Sequence, residues 1–340
     1  MGAFDPGATT LPARVSFISR NRGRVLVGPG ASIPVLLPAR FCDPADPVVV
    51  GDWLVVDRAS DPPIALERLT RRSCLRRRDP AGGSQPVAAN VDLALICTAL
   101  GGDFSVRRVE RWLAICHEAE VDALVVLTKS DPDRTDQVAR ARSAFEVLGD
   151  VDVAPVSALH NVGVTELAAR LSDRPGLTAS LLGSSGVGKS TLLNALLGIE
   201  AQDTGGVREA DDKGRHTTTS RSLFRLPGGG LLIDNPGVRE VGLVDSGGLD
   251  AVFADVEALL GDCQFRDCGH QGDVGCALDA AVEDGTLSAD RLAAWHKLQR
   301  EAAYEERRTD RSAQLAEQRK WKQISQLNRA RNRLLGKGRR

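Results

Sequence analysis

The spacing of apolar positions changes twice along this chain, and each change predicts a different kind of element. From Val15 to about Leu69 the apolar residues fall in short runs, Arg24-Val-Leu-Val, Ile33-Pro-Val-Leu-Leu and Val48-Val-Val-Gly-Asp-Trp-Leu-Val-Val, separated by Gly, Pro and Asp. Short runs rich in β-branched residues and bounded by turn residues predict strands. Their number and spacing predict a small closed barrel of the oligonucleotide-binding (OB) type. Further on, continuous apolar stretches predict buried strands: Val91–Cys97, Ala123–Leu127, the segment around Val151–Pro155, Leu177–Leu182 and Leu231–Asp234. Thr191-Leu-Leu-Asn-Ala-Leu-Leu reads as a helix, so this middle region predicts an open α/β sheet. From about Ser288 the chain is helical in character, and Leu292-Ala-Ala-Trp-His-Lys-Leu continues into Tyr304 and beyond.

The loop between the strand at Leu177–Leu182 and the following helix reads Gly183-Ser184-Ser185-Gly186-Val187-Gly188-Lys189-Ser190. This is the G-x-x-x-x-G-K-[ST] phosphate loop. Its glycines let successive N–H groups face phosphate, Lys189 is placed for the β- and γ-phosphates and the Ser190 hydroxyl for Mg²⁺. Thr191 opens the helix whose N-terminus meets the phosphates. The nucleotide is named by Thr128-Lys129-Ser130-Asp131, at the end of another strand. A carboxylate there accepts from the N1–H and 2-amino group of guanine. Adenine lacks that donor pair and would leave Asp131 desolvated and unpaired. Ser157-Ala158, at the next strand end, supplies a second base-contacting turn. Downstream, Gly214-Arg-His-Thr-Thr-Thr219 reads as a first switch loop, in which Thr218 is a candidate to complete the Mg²⁺ shell. Asp234-Asn-Pro-Gly237 ends a strand. Asp234 would hold Mg²⁺ through water, and the Gly237 N–H would approach the γ-phosphate.

In an ordinary GTPase the phosphate loop comes first and the guanine-reading pair last. Here the guanine-reading pair comes first, so the domain is circularly permuted, with the cut after Gly237 and before Val91. New termini at surface loops leave such a sheet unchanged. The switch segment then leads directly into the C-terminal region. Val238 follows D-N-P-G and cannot polarise water, so hydrolysis needs a group from elsewhere, and His216 is the internal candidate.

The formal net charge of −1 conceals segregation. Residues 68–78 carry six arginines and no acid: Arg68, Arg71, Arg72, Arg76, Arg77 and Arg78. Beside a candidate nucleic-acid barrel such a run suits RNA phosphates, although charge runs are often solvated linkers. Arg78-Asp-Pro-Ala-Gly-Gly-Ser-Gln-Pro reads as the linker into the GTPase region. From Arg319 to Arg340 there are nine Lys/Arg and no acid, with Trp321, Ile324 and Leu327 as a thin apolar stripe. That helix suits RNA, and also an anionic membrane surface; the narrowness of the stripe favours RNA. Cys263-x4-Cys268-x-His270-x5-Cys276 offers three thiolates and an imidazole, a closed tetrahedral zinc set with a structural role. Cys42, Cys74, Cys97 and Cys116 are scattered and read as small buried apolar residues. No apolar run approaches the ~18 residues of a membrane span, and no signal-peptide pattern is present, so a cytoplasmic, soluble protein is expected.

Taken together these motifs resemble the ribosome-small-subunit-dependent, circularly permuted GTPases, the RsgA family. The resemblance runs from about Val15 to Arg340, with two departures: Thr128 for the usual Asn, and Asn235 where the family commonly has Thr. It implies a multi-domain fold: an all-β OB-fold barrel, then a circularly permuted α/β P-loop GTPase domain, then a zinc-binding α-helical domain. The expected boundaries are a flexible tail at 1–14, the RNA-binding barrel at 15–78, the GTPase domain at 85–245 and the zinc-binding, basic helical region at 246–340. The implied activity is GTP hydrolysis stimulated by the small ribosomal subunit, during its late maturation. The implied cofactors are one structural Zn²⁺ and Mg²⁺ with GTP, and the partners the small subunit and its ribosomal RNA, with no membrane and a monomeric chain. A GTPase acting on a protein or membrane partner, and a non-catalytic GTP-gated RNA-binding protein, are the other classes that the residues leave open.

Overall fold

The computed structural model describes residues 9–28, 31–43, 46–78, 84–101, 104–149, 151–198, 221–235 and 249–304. Five strands close the first unit: β1 (Thr10–Ser19), β2 (Arg22–Val27), β3 (Ala31–Leu36), β4 (Trp53–Asp57) and β5 (Ile64–Arg68). They pair in the order β1-β2-β3-β5-β4, and β4 returns to β1 with Leu11 opposite Val56 and Ala13 opposite Leu54. Leu11, Ala13, Val15, Val25, Val35, Leu54, Val56 and Ala65 fill the interior, each at most 3 % exposed. Alternation inward along β2 and β4 and over the first residues of β1 is what lets so short a barrel build a core.

Two boundaries differ from expectation. Residues 10–14 belong to β1 rather than to a flexible tail, because Leu11 and Ala13 are interior positions and residues 10–14 pair with β4. Pro12 obscures the alternation in the sequence. It is tolerated because β2 joins β1 only from Arg14 onward, so no ladder donor is lost on that side. The linker expected over residues 78–86 is in part a hairpin: β6 (Cys74–Arg78) pairs antiparallel with β7 (Ser84–Ala89). Leu75, Val87, Ala88 and Ala89 are buried, and this apolar face outweighs the turn-forming character of Ser84 to Pro86. Pro86 lies beside a register irregularity of a two-stranded ribbon, where a missing N–H is harmless.

The second unit is a six-stranded sheet. β8 (Leu93–Ala99), β9 (Asp122–Thr128), β10 (Val153–Val156), β11 (Thr178–Leu182), β12 (Ser222–Arg225) and β13 (Leu231–Asp234) lie in the order β10-β9-β8-β11-β13-β12. The first five run parallel and β12 is antiparallel to β13. β11, the strand before the phosphate loop, is central in space although fourth of the six in the chain, which is the permuted order. A bridge between Phe17 and Ser222 joins the sheet to the barrel. Helices α1 (Val106–Glu118), α2 (Thr135–Phe145), α3 (Val164–Ser172) and α4 (Lys189–Leu197) cover it. On one face Leu167, Leu171, Leu192 and Leu196 pack on Leu95, Val126 and Leu181.

The other face continues into the C-terminal helices α5 (Leu249–Val252), α6 (Ala254–Leu260), α7 (Ala277–Glu283) and α8 (residues 289–304). Trp112, Leu113 and Ile96 share one apolar cluster with Phe253, Leu278, Trp295 and Leu298. The barrel is anchored by Arg14, a buried residue whose guanidinium donates to the Asn90 carbonyl at 2.9 Å; Asn90 Nδ2 in turn donates to the Gly51 carbonyl at 3.0 Å. Among the described residues no helix is long and apolar enough to cross a membrane.

Candidate nucleotide site and candidate metal centre

The carboxyl ends of β8, β9, β10, β11 and β13 lie side by side, and the expected nucleotide residues sit on the loops that leave four of them. That edge is where open α/β sheets take ligands. After β11 the chain turns sharply. Gly183 has φ 130°, and a Cβ there would lie 2.3 Å from the Cys97 carbonyl, so no side chain fits under the loop. Gly188 has φ 98° and ends the loop at the start of α4. Lys189 is 9 % exposed and donates to the carbonyls of Gly183 (2.7 Å) and Ser184 (2.6 Å), so its ammonium lies over its own loop. Ser185, Gly186 and Ser190 are exposed, Val187 is buried beneath them, and Thr191 is exposed on the first turn of α4. Cys97 under the loop is wholly buried, and burial pushes its thiol up to about 12. It is an inert wall rather than a reactive group.

On the neighbouring loop Thr128 is 4 % exposed, and its hydroxyl donates to the Val187 carbonyl at 2.5 Å while lying 3.2 Å from the Thr98 carbonyl. Thr128, where an Asn is expected, therefore ties the loop after β9 to the loop after β11. Lys129 follows with φ 55°, a left-handed conformation in a non-glycine residue. Ser130 closes the loop through a hydroxyl bond to the Leu127 carbonyl (2.6 Å) and an amide bond to the Val156 carbonyl (3.2 Å). Asp131 accepts from the Ser157 hydroxyl at 2.7 Å, and Arg134 approaches it at 3.6 Å. Ser157-Ala158 is thus brought against Asp131, as their separate strand ends suggested. Asp234 ends β13 at 6 % exposure, opposite Leu181. Asn235 is 1 % exposed and donates to the Ser180 hydroxyl at 2.7 Å, which fixes the exit of β13 against β11. His216, Thr218 and Gly237, with Val238 and the basic stretch from Arg319, lie outside the described residues.

The second constellation is the loop between α6 and α7. The sulfurs of Cys263, Cys268 and Cys276 and a ring nitrogen of His270 all lie within 4.8 Å of one another. His270 Nδ1 is 3.4 Å from Cys263 Sγ and 3.8 Å from Cys276 Sγ. Donors ~2.0–2.3 Å from a tetrahedral Zn²⁺ stand ~3.3–3.8 Å apart, the spacing that His270 Nδ1 keeps from Cys263 and Cys276, so this set could hold that ion. His270 adopts φ 56°, its ring edge faces Trp295, and the Ala277 N–H points at Cys263 Sγ (3.4 Å). These contacts orient the ligands from outside. Of the other four cysteines, Cys97 and Cys116 are buried as expected, while Cys42 is exposed.

Two groups escaped the sequence reading. Arg291 of α8 has a side chain 2 % exposed. It donates to Glu110 Oε1 of α1 (2.7 Å), to both carboxylate oxygens of Asp255 (2.8 and 3.0 Å) and to the Val252 carbonyl (2.6 Å). Its one visible signal is an arginine inside an apolar helical run. The arginine run also behaves differently from a uniform RNA face. Arg68 bonds Asp46, Arg71 bridges Asp46 and Asp52, and Arg72 meets Asp92 at 3.0 Å.

Known proteins are similar to this chain. The family described as RsgA GTPase matches residues 68–244. A small ribosomal subunit biogenesis GTPase RsgA of Opitutus terrae is 42 % identical over 358 residues, covering 99 % of this chain and 96 % of that protein. A protein of the same name from Streptomyces coelicolor is 40 % identical, covering 96 % of this chain and 91 % of its own length. Among solved structures, YjeQ from Thermotoga maritima superposes with a TM-score of 0.63 at 24 % identity, covering 86 % of this chain and 99 % of that one. YloQ, described as a circularly permuted GTPase, superposes with a TM-score of 0.58 at 22 % identity, over 86 % of this chain and 95 % of its own. At those identities the two structures speak for the fold.

Proposed function

This chain belongs to the RsgA GTPase family, and on that premise we propose that it is a GTP-gated assembly factor of the small ribosomal subunit. In this reading it acts in late maturation, binds ribosomal RNA, and hydrolyses GTP to GDP and phosphate with stimulation by the subunit. The observation that carries the nucleotide part is the convergence at one sheet edge of the Gly183–Ser190 loop, Asp131 and Ser157, with the Thr128 hydroxyl linking the first two. Asp131 selects guanine, with Ser157 and Ala158 against it and Lys129 and Ser130 shaping the turn. Gly183 to Thr191 cradle the phosphates, with Lys189 as their cation. Ser190, Thr218 and Asp234 hold Mg²⁺, which neutralises charge on the phosphates when bound, and Gly237 senses the γ-phosphate. His216 positions the attacking water, since Val238 cannot.

The ribosomal part is supported by the names of relatives nearly as long as this chain and by the OB-type barrel. Zinc at Cys263, Cys268, His270 and Cys276 holds the helical region together. We assign the barrel to residues 10–78, with its hairpin continuing to Ala89, the GTPase domain to about 90–245, and the helical region to 246–340. The protein works as a cytoplasmic monomer. The deciding experiment is phosphate release from GTP with and without purified small subunits. Turnover should rise by about 10²-fold or more with the subunit, the scale at which a supplied catalytic group acts. An equal rate in both arms would overturn the ribosomal reading. Binding without any turnover would leave a GTP-gated RNA-binding protein.

A further inference from the structure

Arg14 lies in β1 between Ala13 and Val15, both interior to the barrel, so the alternation of the strand turns its side chain outward. It is nonetheless only 4 % exposed, because the GTPase sheet lies against that face of the barrel. Its guanidinium sits 5.2 Å from the centre of the Trp53 ring and donates to the Asn90 carbonyl (2.9 Å) and the Thr178 hydroxyl (3.3 Å). Both acceptors are neutral. The nearby carboxylates are engaged elsewhere, Asp92 by Arg72 and by the Thr178 N–H, and Asp52 by Arg71. Burial pushes the Arg14 guanidinium down to about 10; Asp92 and Asp52 oppose the fall and Arg72 adds to it. A desolvated cation with neutral partners is a poor source of stability, and what it supplies is position. It positions Thr178, the wholly buried first residue of β11, the strand that runs into the phosphate loop at Gly183. Thr178 is locked from the sheet as well: its N–H donates to the Asp92 carboxylate and its carbonyl accepts from the Asp92 N–H, each at 2.8 Å. β11 is laddered to β8 on one side and β13 on the other, so it moves as part of the sheet. A second contact reaches β13. Gly51, in the barrel loop before β4, has φ 93°, and a Cβ there would overlap the Ala89 carbonyl and lie 3.1 Å from Ile233 Cδ1. Ile233 precedes Asp234, so the barrel bears on both strands that feed the phosphate site.

We propose that Arg14 is a positioning residue for GTP hydrolysis: it couples the barrel to the strand that carries the phosphate loop, so that a partner engaging the barrel acts on the nucleotide site through Thr178. Arginine suits this joint because its planar fork reaches acceptors on two separate segments at once, Asn90 before β8 and Thr178 at the head of β11. By linkage the coupling is reciprocal, so the nucleotide also acts on the barrel through the same joint. Trp53, stacked on the Arg14 guanidinium from the barrel side, is placed to report it. This inference rests on the GTP-binding reading above, and its second readout rests also on the ribosomal one.

The test uses the full chain and two variants. Arg14→Met keeps the stem over Trp53 and removes the fork. Thr178→Val keeps the shape of the strand and its bonds to Asp92 and removes only the hydroxyl, which guards against Arg14→Met simply loosening the barrel. The first readout is the emission of Trp53, isolated as the difference between each protein and its Trp53→Phe version, with GDP and with a non-hydrolysable GTP analogue. The parent should differ between the two nucleotides, and in Arg14→Met that difference should shrink by about 5-fold or more, the lower end of a typical coupling between sites. The second readout is turnover with purified small subunits. At saturating subunits Arg14→Met should turn over about 5- to 20-fold more slowly than the parent. The subunit concentration for half-stimulation and the GDP affinity should each move by less than about 3-fold, a split that a merely loosened barrel would not give. Thr178→Val should lose about 3-fold in both readouts, since one of the two bonds remains. A parent whose Trp53 emission is the same with both nucleotides would overturn the joint. So would variants that match the parent in both readouts, or a loss confined to subunit affinity with saturated turnover intact, since Arg14 would then only hold the barrel in place for binding. A parent whose turnover ignores subunits would overturn the ribosomal reading, and Trp53 alone would then decide the joint. A parent that bound neither nucleotide would overturn both readings.

Discussion

At the scale of single residues, Thr128 shows how a departure from a motif can preserve its mechanics. A threonine cannot offer an amide, but its hydroxyl still reaches the Val187 carbonyl at 2.5 Å. Thr128→Val keeps the volume and removes the donor, leaving a buried carbonyl less well satisfied, at a cost of ~1–3 kcal/mol. GDP affinity, measured by titration of a fluorescent analogue, should fall about 10-fold, and Thr128→Ser should retain most of it. Equal affinity of the valine variant would show that the tie is not used in binding. Asp131 carries the opposite kind of prediction, since the role proposed for it is chemical rather than mechanical. Its carboxylate accepts, as guanine requires, and Ser157 donates to it from the side. Asp131→Asn presents a donor instead, so preference should move from guanine to xanthine nucleotides, whose 2-oxo group accepts. Competition binding that left GDP preferred over XDP in this variant would remove Asp131 from base recognition.

At the scale of elements, the loop between α6 and α7 is mostly exposed, and the zinc proposed for it would supply the order that its own packing does not. α6 and α7 have seven residues each, below the length at which a helix is stable alone. His270 holds a left-handed backbone, a conformation that a bound ion at its ring would help to maintain. Protein purified without chelator should therefore carry about one Zn²⁺ per chain. Removing it, or Cys268→Ala, should expose the amides of residues 254–283 to hydrogen exchange and change the emission of Trp295, which lies edge-on to His270. GDP affinity should move by less than about 3-fold, because the phosphate loop lies on the opposite apolar cluster. A metal-free preparation with native exchange would refute the assignment. The clustering of these four side chains was legible in the sequence because metal-site spacing is local. So was the convergence of the Gly183–Ser190 loop with the Asp131 loop, because each follows a strand of the same sheet at a fixed interval. The start of β1 was not, because Pro12 and Arg14 interrupt an alternation that only the pairing with β4 restores. The β6–β7 hairpin was missed for the same kind of reason: its apolar face is short, and the turn residues between its strands dominate the local signal. The pairing of Arg71 with Asp52 and Asp46 depends on contacts between separate strands and loops, and no local pattern encodes it.

At the scale of the whole molecule, the question is what makes the C-terminal helices one body with the GTPase sheet. The shared apolar cluster supplies area, but a buried charge network sets the register. Arg291 joins Glu110 of α1 to Asp255 of α6 and lies over the Phe253 ring at 4.2 Å, while Arg111 grips both carboxylate oxygens of Glu301 at 2.9 and 3.0 Å. Any pull on α8 is therefore felt at α1, the helix that follows the strand after the permutation cut. Arg291→Met would leave Glu110 buried without its cation. Removing one partner of a buried pair costs ~3–5 kcal/mol, so thermal unfolding should begin several degrees earlier than in the parent. The pH dependence separates this account from a simple packing defect. Burial already raises the Glu110 carboxyl above its ordinary value, and Arg291 opposes that rise. Without Arg291 the folded carboxyl shifts further up, so the folded state takes up a proton that the unfolded chain releases near pH ~4.3. A raised carboxyl favours the fold at low pH and disfavours it as pH rises. The deficit of Arg291→Met should accordingly be small near pH 5 and grow toward pH 8. Adding Glu110→Gln to Arg291→Met, which removes the charge, should flatten that dependence and recover part of the lost stability. Denaturant melts of the three chains across this range decide it: a deficit that is constant with pH, or unchanged by Glu110→Gln, would mean that packing around Arg291, not its charge, holds the two units in register.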